Sequence, residues 1–206
     1  FNGIWLHGRL RDMTRTKVFP ELGAEAAAYH GSLNRLCARA AAHGARVFIY
    51  FTEPLGFPRE DPFWSEHPDV KGEPGSSGMD NWKETYALCS SHPKVREFLR
   101  EGMANLFKAC PALGGVILIT RSEHHSHCYS HKDKVDCPRC SGRSVAAAVA
   151  EVINTIAIGV RSSSPSAEVI AWNWSWGKDY ESGIIDGLDN SVTLMIDFER
   201  GGWKNI

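Results

Sequence analysis

The chain has 206 residues, 43% hydrophobic and 23% charged, ordinary values for a globular protein with a buried core, and they exclude a disordered or collagen-like chain. Lys and Arg number 23 against 24 Asp and Glu, a formal net charge of -1, so there is no basic field for a nucleic-acid backbone and nucleic acid is not an expected partner. No apolar run approaches the roughly 20 residues of a membrane span and no basic-then-apolar signal opens the chain; no membrane partner is expected, and any signal segment would lie outside these residues, which start at Phe1.

Five short runs rich in β-branched and aromatic residues punctuate the chain: GIWLHG (Gly3 to Gly8), RVFIYF (Arg46 to Phe51), GVILIT (Gly115 to Thr120), EVIAWNW (Glu168 to Trp174) and VTLMIDF (Val192 to Phe198). Continuous apolar runs of this length predict strands covered on both faces. A helix is expected after the first, over Ala24 to His43, with Leu33, Leu36, Cys37 and Ala40 on one face and Gly44 as its stop. Pro54 to Leu88, containing KGEPGSSG, reads as a surface loop. Pro93 starts a helix carrying Val95, Phe98, Leu99, Met103, Leu106 and Phe107, and Val145 to Val160 carries a third apolar stripe. A shorter helix covers Tyr180 to Leu188.

Strand and helix alternate without a hairpin signal, which predicts parallel strands joined by right-handed crossovers. The expected fold class is α/β, a partial (β/α)8 TIM barrel of about five βα units in a single domain, 1–206. Polar and aromatic residues follow every strand and no glycine-rich phosphate loop follows the first, which favours the barrel over a doubly wound sheet. A closed barrel takes about 250 residues, so the reading is a piece truncated at both ends.

In such folds chemistry collects at the C-terminal ends of the strands. His7 and Arg9 stand there after the first strand, Glu53 after the second, Glu123 and His124 after the third, Asn173, Trp174 and Trp176 after the fourth, and Asp197 and Glu199 after the fifth. Carboxylates with tryptophans and few cations suit a sugar: indoles stack on the apolar ring face, and acetal cleavage uses a carboxyl proton donor with a second carboxylate. Glu123 is the candidate general acid, and the opposing carboxylate is Asp197 or Glu199, or it is missing from these residues. His7, Arg9, Glu53, His124, Asn173, Trp174 and Trp176 are expected to line the sugar site, the two indoles at i and i+2 sharing one side of an extended chain. The bland alternatives are a solvated loop carboxylate for Glu53, a satisfied strand histidine for His7 and core packing for the tryptophans.

Between Glu123 and Cys140 lie four histidines and three cysteines. Cys128, Cys137 and Cys140, the last two in a CPRC knuckle, fit a structural zinc site with His131 or His127 as fourth ligand. Reduced thiols or a disulfide are the alternatives, and no organic cofactor is expected. Thiol or metal use leans towards a reducing, cytoplasmic compartment. A metal-dependent hydrolase using His124, His125 or His127, or a non-catalytic sugar-binding barrel, are the competing functions.

The segments GGVILITRSEHHSHCYSH with CPRC, NGIWLHGRL and LCSSHPKVREFLREGMANLF resemble barrel glycoside hydrolases, especially uncharacterised bacterial relatives of the β-N-acetylhexosaminidases. The resemblance implies a carbohydrate substrate, in the nearest case an N-acetylhexosaminide, with Glu123 in the position of the general acid that ends barrel strand four. It also implies that the five strands are barrel strands two to six. The family's preceding aspartate is Ser122 here, and a serine has no charge to stabilise an oxazolinium ion.

Overall fold

The computed structural model describes residues 2–77, 84–122 and 124–196. In chain order it holds β1 (Gly3–His7), α1 (Leu10–Met13), α2 (Ala26–Ala41), β2 (Arg46–Phe51), β3 (Phe57–Pro58), α3 (Phe63–Glu66), a 3-10 turn (Pro68–Val70), β4 (Lys71–Ser76), β5 (Glu84–Leu88), α4 (Pro93–Ala109), β6 (Gly115–Leu118), α5 (Val145–Ser163), β7 (Glu168–Trp172), α6 (Lys178–Asp186) and β8 (Thr193–Met195).

Five strands form one sheet in the order β1-β2-β6-β7-β8, every pair parallel. Each strand lies beside the next one of that sheet in the chain. A doubly wound sheet reverses its order at a switch point; this one does not, and its crossover helices α4, α5 and α6 pack side by side. It is the five-strand arc of a (β/α)8 barrel.

The strands alternate rather than being covered on both faces. Val47, Ile49 and Phe51 of β2 are at most 1% exposed, as are Val116 and Leu118 of β6 and Val169 and Ala171 of β7, because the helices cover this side. Their neighbours Phe48, Tyr50, Ile117, Ile170 and Trp172 are half-buried on the other face. Register puts His7 beside Tyr50, Tyr50 beside Ile117 and Ile117 beside Ile170 on that face. β1 is exposed along its length, Trp5 to 55%.

α5 is long and apolar enough to cross a membrane by length and composition, alone among the described helices. Its apolar residues are spent on packing: Val149, Val152, Ile153, Ile156 and Val160 are at most 1% exposed. Gly159 permits the close approach to α4, since a Cβ there would stand 2.5 Å from the Arg100 carbonyl oxygen.

The stretch expected as a loop after β2 is instead a structured insertion. β3, β5 and β4 form a three-stranded antiparallel sheet, too short and too rich in Gly and Pro to show a period-two pattern. Its core is aromatic, with Phe57 stacked on Phe63 at 4.2 Å and Trp64 edge-on to both.

Candidate active site at the strand ends

Of the proposed catalytic carboxylates, Glu123, Asp197 and Glu199 lie outside the described residues. The site is built from what surrounds their positions in the chain. His7 ends β1 and His124 follows β6; their rings stack at 6.0 Å, although β2 lies between the two strands. Tyr50 of β2 closes the group, 5.0 Å from His7. Packing against these rings removes water from His7 and lowers its pKa, with His124 and Arg9 adding like-charge repulsion. The shift favours the neutral imidazole, which can both donate and accept hydrogen bonds. Ser122 is buried, and its hydroxyl accepts from the His124 amide at 3.3 Å, a local turn bond.

Across the sheet, β7 ends in a turn in which the Trp176 amide donates to the Asn173 carbonyl at 3.2 Å and Ser175 has a positive φ of 60°. The chain is therefore not extended here, and the expected sharing of one side by Trp174 and Trp176 fails. Trp176 turns inward, 1% exposed, and its indole N–H donates to the Thr120 hydroxyl at 3.2 Å. Trp174 stays half-buried, edge-on to Trp172 at 5.6 Å. The Asn173 side-chain amide donates to Glu181, and these two border a cavity of about 310 Å³ between the turn, α6 and Ile196.

Two other expected sugar contacts are committed elsewhere. Glu53 is 2% exposed, and its two carboxylate oxygens accept from the Leu10 amide at 2.7 Å and the Leu55 amide at 3.0 Å. Burial raises its pKa, while those two bonds and Arg11 oppose the rise. Its work is to hold the start of α1, whose N-cap residue Arg9 supplies no side-chain cap. Arg9 instead pairs with Asp12 at 2.7 Å and borders a separate cleft of about 520 Å³ with Arg11, Tyr29 and Phe57. Two further concavities, of about 650 and 660 Å³, are bordered by Val18 with the first turns of α4 and by the end of α5 with Leu188.

The loop after β6 docks on the insertion through Thr85 and His125 and through the Gly56 amide, which donates to the His125 carbonyl at 2.8 Å. Cys128, Cys137 and Cys140 come together as expected from their spacing, but the group beside them is Cys89, at the end of β5, and not a histidine. His127 is buried with both ring nitrogens engaged: Nε2 donates to the Thr120 carbonyl at 2.6 Å and Nδ1 accepts from the Tyr129 amide at 3.1 Å. The His131 ring stacks on His125 at 5.6 Å. Sequence reasoning missed Tyr50 and Trp172, although alternation within RVFIYF and EVIAWNW placed both on the face opposite the buried residues.

No family model and no curated protein matches the chain. Solved structures share its fold. An α-amylase from Geobacillus thermoleovorans complexed with acarbose superposes with a TM-score of 0.53 at 15% identity, over 92% of this chain and 40% of that one. Amy13B of Eubacterium rectale gives 0.56 at 13%, over 97% and 42%. A glycoside hydrolase family 20 β-N-acetylglucosaminidase gives 0.53 at 15%, over 95% and 46%. The chain thus spans less than half the length of these structures and shares with them the (β/α)8 fold.

Proposed function

We propose that this chain is part of the catalytic barrel of a glycoside hydrolase, with Glu123 as the general acid. The observation that carries the reading is the meeting of His7, Tyr50 and His124 at the C-terminal ends of β1, β2 and β6, where His124 is the next residue after Glu123. The aromatic face continued by Trp172 and Trp174 supplies stacking surface for a sugar ring, and the Asn173–Glu181 pair supplies hydroxyl partners. Likeness to an amylase and to a family 20 β-N-acetylglucosaminidase supports a carbohydrate substrate. N-acetylhexosaminides are the first class to screen. Ser122 leaves no carboxylate beside Glu123 to assist an acetamido group, so the second carboxylate is assigned to Asp197 or Glu199.

In this scheme Glu123 protonates the leaving-group oxygen as the glycosidic bond breaks, and the neutral His7 holds a sugar hydroxyl without competing for that proton. General acid catalysis contributes about a hundred- to ten-thousand-fold. Glu123→Gln in the full-length enzyme is expected to lower turnover by that order on alkyl glycosides and by much less on nitrophenyl glycosides, whose leaving group needs little protonation. Equal turnover of the variant and the parent on alkyl glycosides would remove Glu123 from the reaction.

A further inference from the structure

Four cysteines meet between two excursions from the same end of the sheet. Cys89 follows β5, at the close of the insertion after β2; Cys128, Cys137 and Cys140 belong to the loop after β6. Their sulfurs all lie within 4.8 Å of one another, and none of the four residues is more than 6% exposed. Cys89 Sγ is 3.6 Å from Cys137 Sγ and 3.7 Å from Cys140 Sγ. Four sulfurs at the zinc–thiolate distance of about 2.3 Å, on the corners of a tetrahedron, stand about 3.8 Å apart. Disulfide sulfurs stand about 2.05 Å apart, so neither close pair is spaced as a bridge.

The geometry points to one closed four-thiolate centre, Cys89, Cys128, Cys137 and Cys140, for a zinc-class divalent ion that clamps the insertion to the loop after β6. Independent features prepare it. The buried Glu73 carboxylate of β4 accepts from the Cys137 amide and pairs with Lys132 at 3.2 Å, fixing the knuckle against the insertion. Gly72 is required beside the site, because a Cβ there would stand 2.6 Å from Cys128 Sγ. The Ser91 hydroxyl lies 3.3 Å from Cys140 Sγ and receives Arg143 at 2.6 Å, bringing positive charge towards the thiolates. On binding, each thiol releases its proton to solvent and no electron is transferred. With four sulfurs bound, zinc has no open position for water or substrate, so the role is structural.

The test uses protein purified without chelator and then titrated with zinc or with cobalt(II). One zinc per chain by elemental analysis, and a cobalt absorption spectrum of tetrahedral four-thiolate type, are expected. Cys89→Ser should fall well below one zinc per chain while His131→Ala keeps one. Should Cys89→Ser prove insoluble, the cobalt spectrum of the unaltered protein still separates four thiolates from three thiolates and an imidazole. Failure to take up either metal, a disulfide among these cysteines in the intact mass, a three-thiolate spectrum, or full zinc retention by Cys89→Ser would each overturn the proposal. None of these readouts depends on glycosidase activity.

Discussion

The Thr85 hydroxyl lies 2.7 Å from Nδ1 of His125, joining the last strand of the insertion to the loop that follows β6. The imidazole is 2% exposed. Burial, then His131, His127 and Lys132, hold its pKa down at about 3 against an ordinary 6.5. The unfolded chain therefore binds a proton in this window that the folded chain does not. The stability contributed by the neutral ring is fully present above pH 6.5 and is lost as pH falls towards 3.

His125→Gln keeps a polar atom towards Thr85 and does not titrate. Urea melts across the upper part of that window should show a shallower loss of stability in the variant, by at most about 1.4 kcal/mol per pH unit for one proton. Parallel pH profiles for the two proteins would show that His125 does not titrate with folding.

Glu53 is a structural carboxylate by its contacts, and its removal strands two backbone N–H groups, those of Leu10 and Leu55. Each stranded group costs about 1–3 kcal/mol. Glu53→Ala is expected to lose about 2–6 kcal/mol in denaturant unfolding, and Glu53→Gln less, since its amide keeps one of the two acceptors. A variant of unchanged stability but with raised KM on glycosides would return Glu53 to the substrate site.

Trp174 and Trp176 should separate cleanly. Trp176 is buried with its N–H bonded to Thr120, so Trp176→Ala should cost about 3–5 kcal/mol of stability, as large-to-small core changes do. Trp174→Ala should unfold near the parental midpoint and raise KM for glycosides instead. Equal destabilisation by both changes would remove Trp174 from the sugar face.

Much of the barrel could be read directly from the residues. RVFIYF is β2 over the expected span, Arg46–Phe51, and Pro93 is the first residue of α4, because apolar periodicity and a proline N-terminus are local properties of the chain. The CPRC knuckle brought Cys137 and Cys140 to a common site for the same reason: its turn is closed by the Cys140 and Ser141 amides donating to the Cys137 carbonyl. Other features depend on contacts between segments far apart. Cys89 is 48 residues from Cys137, and no spacing rule pairs them; only the docking of β5 against the loop after β6 does. The stacking of His7 on His124 needs the parallel register of β1, β2 and β6. The inward turn of Trp176 needs the left-handed Ser175, which breaks the extended geometry that the sequence pattern assumes. Sequence by itself determined where the five strands of the parallel sheet and the helices α2, α4, α5 and α6 form, through short apolar runs, a period of 3.6 residues and helix-end residues, but it gave no such pattern for the strands of the insertion. Tertiary structure alone decided which Glu, Trp, His and Cys side chains are buried supports and which stand together at the strand ends, because burial and long-range register arise from packing between segments.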